Sequence, residues 1–329
     1  MKRVLIITVL LVAGASYAAV TWLGARAEEK NSAFRREFSS TAARIDSEFR
    51  HRETTVKGIK WHYVEQGPAD GPVILFLHGL PECWYSWHYV MPLIDSNYRQ
   101  IVLDMKGYGR SDKQDDDYNW HVVARQISEL MDGLEINRFF VVGHDWGSLI
   151  GSVLVSDYPN RISGFVRMQA DLIRSSLIRS LVRKPQFLLF QLNWLGTLFM
   201  EDAAWFIDRV YPPRMAADFK PVDRDYLVNE FARDGVAQQV PKYFKLKNWD
   251  LDAAMTKICK EAFPFPVLIL QADKDASQPV SLFESVSSEC PRVELRWISD
   301  ASHFSNFDKP EEVARAINDF LSRARLMGS

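Results

Sequence analysis

The chain is poor in cysteine: 329 residues hold only Cys83, Cys259 and Cys290. An odd number at such wide separations matches no metal-ligand or redox spacing and does not indicate a disulfide-stapled scaffold. Buried, inert thiols are the expectation. A basic excess is also missing, since 40 Lys+Arg face 42 Asp+Glu. That argues against a nucleic-acid partner, whose phosphates demand clustered cations. No internal repeat or low-complexity stretch is visible, and Asp115-Asp116-Asp117 reads as a solvated loop tip. What is abundant is core material, with 20 Phe, 10 Trp and 11 Tyr, which argues against disorder.

Acidic residues are absent from residues 1–27, where Lys2 and Arg3 precede the uncharged run Val4–Leu23. At about 1.5 Å per residue, a helix of that length covers roughly the 30 Å of a bilayer core. The run exceeds the roughly 7–15 apolar residues of a signal peptide. The expectation is therefore an N-terminal transmembrane helix over 1–27 that anchors the protein to a membrane. The alternative is a cleaved signal and a secreted or periplasmic protein. Residues 28–52 read as an amphipathic helical linker, with Phe34, Phe38, Ala42, Ile45 and Phe49 at helical spacing. Docking on the following domain is the expected use of that stripe.

From residue 53, short apolar runs alternate with helical stretches. Val73–Leu77, Phe139–Val142 and Pro266–Gln271 suit strands buried on both faces, and Lys60–Gln66, Gln100–Asp104, Gly164–Met168 and Glu294–Ile298 complete the series. His121–Leu134, Ser148–Asp157 and Glu311–Leu326 have helical periodicity. The fold class is α/β, with a mostly parallel sheet covered by helices. Residues 172–252 interrupt the alternation with aromatic-rich helical sequence. The expected organisation is a core over 53–171 and 253–329, with 172–252 inserted as a helical lid over the strand ends where ligands bind.

The strongest chemical signal is Phe139–Ser148, an apolar strand, a turn flanked by Gly143 and Gly147, and an immediate helix. Small residues two before and two after a central position allow the strained nucleophile elbow, which exposes that side chain beside a helix N-terminus. Here it is Asp145, and a carboxylate attacks carbon to form an ester. Hydrolysing an ester needs a base, an acid that orients it and an oxyanion hole. His303, last in chain order, is the base candidate. Asp275 after the preceding strand is the orienting acid, with Asp273 in reserve. Leu80 and Trp146 offer backbone N–H donors for the hole. The substrate pocket is expected to be apolar, lined by Leu80, Trp146, Phe190 and Trp194. His78 borders it, where bracing of the loop is the expected role.

These stretches resemble the epoxide hydrolase branch of the α/β-hydrolase superfamily: His78–Trp87, Asp104–Asp112, Gly143–Ser148, Ala272–Asp275, and Asp300–Phe304 followed by Asp308–Glu311. The resemblance implies an α/β-hydrolase fold and attack of Asp145 on an epoxide carbon. Water activated by His303 and Asp275 would then release a vicinal diol, with no metal or organic cofactor. The substrate would be a lipophilic epoxide. Family members also use two lid tyrosines to protonate the opening epoxide. In this chain Gln186 stands where the first belongs, and Tyr243 fits the second with a one-residue shift relative to Asn248-Trp249.

Haloalkane and haloacetate dehalogenases share the Asp nucleophile and need no acid, so they form the alternative. Against them, Leu80 has no side-chain donor for halide, and Gln169 stands where one dehalogenase branch has its acid. Trp194 offers a second indole. A third reading is a membrane-tethered binding protein that kept the hydrolase fold without catalysis.

Overall fold

The computed structural model of the chain describes residues 2–170, 186–245, 254, 257–259 and 263–328. Its eight strands are β1 (Arg50–Val56), β2 (Ile59–Gln66), β3 (Val73–Leu77), β4 (Arg99–Leu103), β5 (Phe139–His144), β6 (Ile162–Met168), β7 (Val267–Ala272) and β8 (Val293–Ile298). They form one sheet in the order β1-β2-β4-β3-β5-β6-β7-β8. β1, β2 and β4 pair antiparallel, and every neighbour from β4 to β8 is parallel. The uninterrupted apolar runs of β3, β5 and β7 are buried at every position, as strands covered on both faces require.

Helices of eight residues or more are α1 (Lys2–Asp46), α2 (Trp120–Gly133), α3 (Trp146–Asp157), α4 (Asn193–Met200), α5 (Ala203–Val210), α6 (Pro221–Phe231) and α7 (Pro310–Gly328). Asn119 caps α2 by accepting the His121 N–H at 3.0 Å, and α7 begins with Pro310 followed by Glu311 and Glu312. Between β6 and β7 the described residues 186–245 are helical and contain no strand. Because β3, β5, β6, β7 and β8 run parallel, the loops after them open on one edge. His78, Asp145, Gln169, Asp275 and His303 all follow those strand ends.

Three expectations are corrected. Among the described residues no helix is long and apolar enough to cross a membrane. The N-terminal transmembrane anchor, the membrane as a partner and the membrane-anchored location are therefore not supported. The apolar run is not a separate element. It continues without a break into a charged, docked helix, and α1 spans 45 residues. On that second half Phe38, Ala42 and Ile45 are buried, and the Phe38 ring meets Tyr226 of α6 edge-on at 6.2 Å. Lys30 pairs with Asp202 at 2.5 Å, Asn31 donates to the Glu201 carbonyl, and Arg35 donates to the Ala232 carbonyl. Asp46 closes the contact by meeting Arg110 at 2.5 Å and Tyr226 at 2.6 Å.

The second correction concerns cysteine. Cys259 and Cys290 are joined in a disulfide, and only Cys83 is a free, buried thiol among the described residues. The pairing follows from topology: each cysteine lies shortly before one of the adjacent strands β7 and β8. The third is the end of the linker, because residues 50–52 belong to β1, an edge strand whose sequence RHRETTV has only exposed and half-buried positions.

Candidate active site

β5 ends at His144, and the chain turns at once into α3 through Asp145, whose φ is 48° and ψ −117°. A non-glycine residue in that region is held there by its surroundings. The tightness is visible at Gly147, where a Cβ would lie 2.3 Å from the Leu77 carbonyl oxygen. The turn therefore needs glycine because α3 starts directly against the end of β3.

The Asp145 carboxylate is held from two sides. Oδ1 accepts the Leu80 N–H at 3.1 Å, and Oδ2 lies 3.3 Å from His303 Nε2. The other ring nitrogen, Nδ1, faces Asp275 Oδ2 at 2.9 Å. Asp275 Oδ1 accepts the N–H groups of Ser277 and Gln278 at 2.8 and 3.2 Å, which fixes the carboxylate in its loop. Acid, imidazole and acid thus stand in line. Burial alone would lower the His303 pKa, but the charge of Asp275 and hydrogen bonds to Asp145 and Asp275 raise it to about 10. For Asp275, burial pushes upward, and the His303 charge and hydrogen bond overcome it and hold the carboxyl below its usual range.

A second buried pair lies behind this line, and neither member was singled out from sequence. Glu82 Oε2 accepts the Gly79 N–H at 2.5 Å and meets His144 Nδ1 at 2.9 Å. His144 Nε2 in turn lies 2.8 Å from the His303 carbonyl oxygen, to which it donates. Burial opposes both charges, yet the mutual attraction raises the His144 pKa and lowers that of Glu82. The signal was present in the letters: an acid sits three residues after Gly79 in one turn, and a His directly precedes Asp145 in the other.

The remaining expected residues divide. Phe190 is buried and packs on Phe244 at 4.9 Å, and Phe244 packs on Trp146 at 4.3 Å, giving an aromatic wall beside Asp145. His78 is fully buried, with Nδ1 against the Gly79 carbonyl at 2.9 Å and Nε2 accepting the Met105 N–H at 3.0 Å. Both nitrogens brace backbone. Trp194 is 55% exposed on α4 and is not part of the wall. The Tyr243 hydroxyl donates to the Lys106 carbonyl at 2.7 Å and is fully enclosed. The Gln186 side chain and Asn248-Trp249 lie outside the described residues.

A family model described as alpha/beta hydrolase fold matches residues 72–310. The chain belongs to the α/β-hydrolase fold family. Among curated relatives, Epoxide hydrolase 2 of Caenorhabditis elegans is 28% identical over 287 residues, covering 83% of this chain and 80% of that protein. Among solved structures, wild-type Cfl2 from Burkholderia cenocepacia superposes with a TM-score of 0.73 at 26% identity, covering 83% and 95% of the two chains. A loop variant of the haloalkane dehalogenase DbeA from Bradyrhizobium elkanii gives 0.73 at 21% identity over 85% and 98%, a likeness of fold alone. Across these matches the α/β-hydrolase is an enzyme of the epoxide-hydrolase and haloalkane-dehalogenase branch.

Proposed function

We propose that this α/β-hydrolase opens lipophilic epoxides to vicinal diols through an ester on Asp145. The observation that carries the reading is the Asp145–His303–Asp275 line, with the Leu80 N–H on the far oxygen of Asp145. Asp145 Oδ2 attacks an epoxide carbon, the ring C–O bond breaks, and the alkoxide takes one proton from an acid in the site. Esterification removes the Asp145 charge, and with it part of what holds the proton on His303, which passes through solvent to the acid that protonated the alkoxide. The imidazole, oriented by Asp275, then accepts a proton from water as the water oxygen attacks the ester carbonyl. Leu80 and Trp146 N–H groups serve the oxyanion, and collapse expels the diol, whose oxygen recovers the proton from His303. One water is consumed. The wall of Trp146, Phe244 and Phe190 favours an apolar substituent, and Phe190 and Phe244 reach it from the helical residues 186–245, which serve as the lid.

One observation favours the dehalogenase reading. The Tyr243 hydroxyl is spent on the Lys106 carbonyl, and halide, unlike alkoxide, departs without a proton. The two chemistries separate in one experiment. His303→Gln is incubated with styrene oxide or with 1-bromohexane, and the intact mass is measured. An adduct on Asp145 from the epoxide is expected. An adduct from the bromide alone transfers the function to the second reading, and none from either overturns covalent catalysis at Asp145.

A further inference from the structure

Away from Asp145, positive charge is concentrated in one cleft. It has a volume of about 430 Å³ and opens where α1, the sheet edge, the loop after β4 and the helical insertion meet. Five cations line it: Arg35 on α1, Lys60 on β2, Arg110 and Lys113 in the loop, and Arg233 just after α6. Two carboxylates join them, Glu53 and Asp234. The cleft shares no residue with the Asp145–His303–Asp275 line.

The partners of these cations differ. Arg110 meets Asp46 at 2.5 Å and Glu230 at 3.3 Å, and Arg233 meets Glu230 at 2.6 Å, so one buried carboxylate serves two guanidiniums. Arg110 Nε is buried without a hydrogen-bond partner. The rim acids are held loosely: Glu53 meets Lys60 at 2.9 Å with both side chains half exposed, and Asp234 reaches Arg35 at 3.4 Å. Exposed pairs of this kind contribute little and exchange readily for another anion. The Lys113 ammonium donates to the Gly109 and Ser111 carbonyls at 2.7 Å each, and among the described residues no carboxylate lies within ion-pair distance of it. An ammonium has three donors, and two are used. Burial, aided by the Arg233 charge and opposed by Asp104, Glu230 and Asp112, brings its pKa down to about 8. Like charges thus face one another with too little negative charge between them.

We propose that this cleft binds a compact phosphate-type dianion, free or as the head of a small ester, among Lys113, Arg233, Arg110 and Lys60. Guanidinium forks and an ammonium suit its tetrahedral oxygens. The volume leaves room for a small organic group beside the phosphate. A polymeric phosphate fits poorly, because Glu53 and Asp234 stand at the rim and the chain carries a net charge of −2. Once bound, the dianion joins α1, the sheet edge and the insertion. Its charge also holds the proton on Lys113, so binding takes up a fraction of a proton near pH 8.

The test is isothermal titration of the full chain at pH 8 with inorganic phosphate and with glycerol 3-phosphate, against sodium chloride of equal ionic strength. Two buffers of different ionisation enthalpy report the proton count. Saturable binding is expected, and Lys113→Gln is expected to weaken it by about 10-fold or more, as for loss of a charge-assisted hydrogen bond. Lys113→Arg should restore the affinity while taking up fewer protons than the parent, because a guanidinium is already fully charged. Binding of inorganic phosphate alone identifies the free ion, and equal or tighter binding of glycerol 3-phosphate identifies an ester; each supports the site. Heats no larger than those of chloride, parent affinity in Lys113→Gln, or equal proton uptake in Lys113→Arg overturns the proposal. Should Lys113→Gln not fold, Lys60→Gln on the exposed side of the cleft replaces it, with a few-fold loss of affinity expected and an unchanged affinity overturning the proposal.

Discussion

His144 donates to the main-chain oxygen of His303 at 2.8 Å, so the residue before Asp145 supports the backbone of the imidazole that faces Asp145. Through Glu82 the same ring is tied to the Gly79 N–H. The Gly79 turn, the Asp145 turn and the His303 loop are thus registered by one buried ion pair. Removing one partner of such a pair leaves an uncompensated charge. Glu82→Ala is expected to lower stability by about 3 kcal/mol in urea denaturation and to reduce kcat more than it changes KM. Unchanged stability would show that the pair is not charged.

The His303 shift has a stability consequence. Its folded pKa of about 10 lies above the ordinary 6.5. The contribution is complete below pH 6.5 and is lost as pH rises through about 10. The unfolding midpoint of the parent protein should therefore fall relative to that of His303→Gln across this window. Parallel profiles would mean that the proton is not held in the folded state.

Tyr243 and Trp194 are expected to contribute little to turnover. Tyr243→Phe removes one buried hydrogen bond to the Lys106 carbonyl and is expected to cost about 1–2 kcal/mol, with kcat within a few-fold of the parent. Trp194→Ala, at an exposed position, is expected to stay within about 0.5 kcal/mol and leave steady-state kinetics unaltered. A large kcat loss in Tyr243→Phe would assign the acid role to that residue.

The disulfide closes a loop with a sequence separation of 31 residues. A cross-link of that span restricts the unfolded chain by about 3.7 kcal/mol. Cys290→Ala should lower the unfolding midpoint, while activity at room temperature persists. An unchanged midpoint would indicate that the bond is absent in solution.

Much of this was legible in the letters, for identifiable reasons. Asp145 and Asp275 stood out because each follows an apolar run, and His303 because it comes last in chain order after a strand; parallel strands deliver such positions to one edge. β1 was not legible, since an edge strand needs no apolar face and RHRETTV carries none. The Glu82–His144 pair was hidden because its members lie 62 residues apart and gain meaning only through strand adjacency. Local hydropathy misled at Val4–Leu23, where the run continues into one 45-residue helix whose charged half docks on the protein. The cysteine reading failed similarly, because wide spacing in sequence says nothing about neighbouring strand ends.

The docking of α1 bears on how substrate reaches Asp145. α1 runs past Glu201, Asp202 and Ala232 and finishes on Arg110 and Tyr226 before leading into β1. It therefore straps the helical insertion to the edge of the sheet. A rigid swing of the insertion must either carry α1 with it or shear these contacts together. Entry by movement of individual side chains asks for neither, so the strap opposes a hinged opening of the insertion.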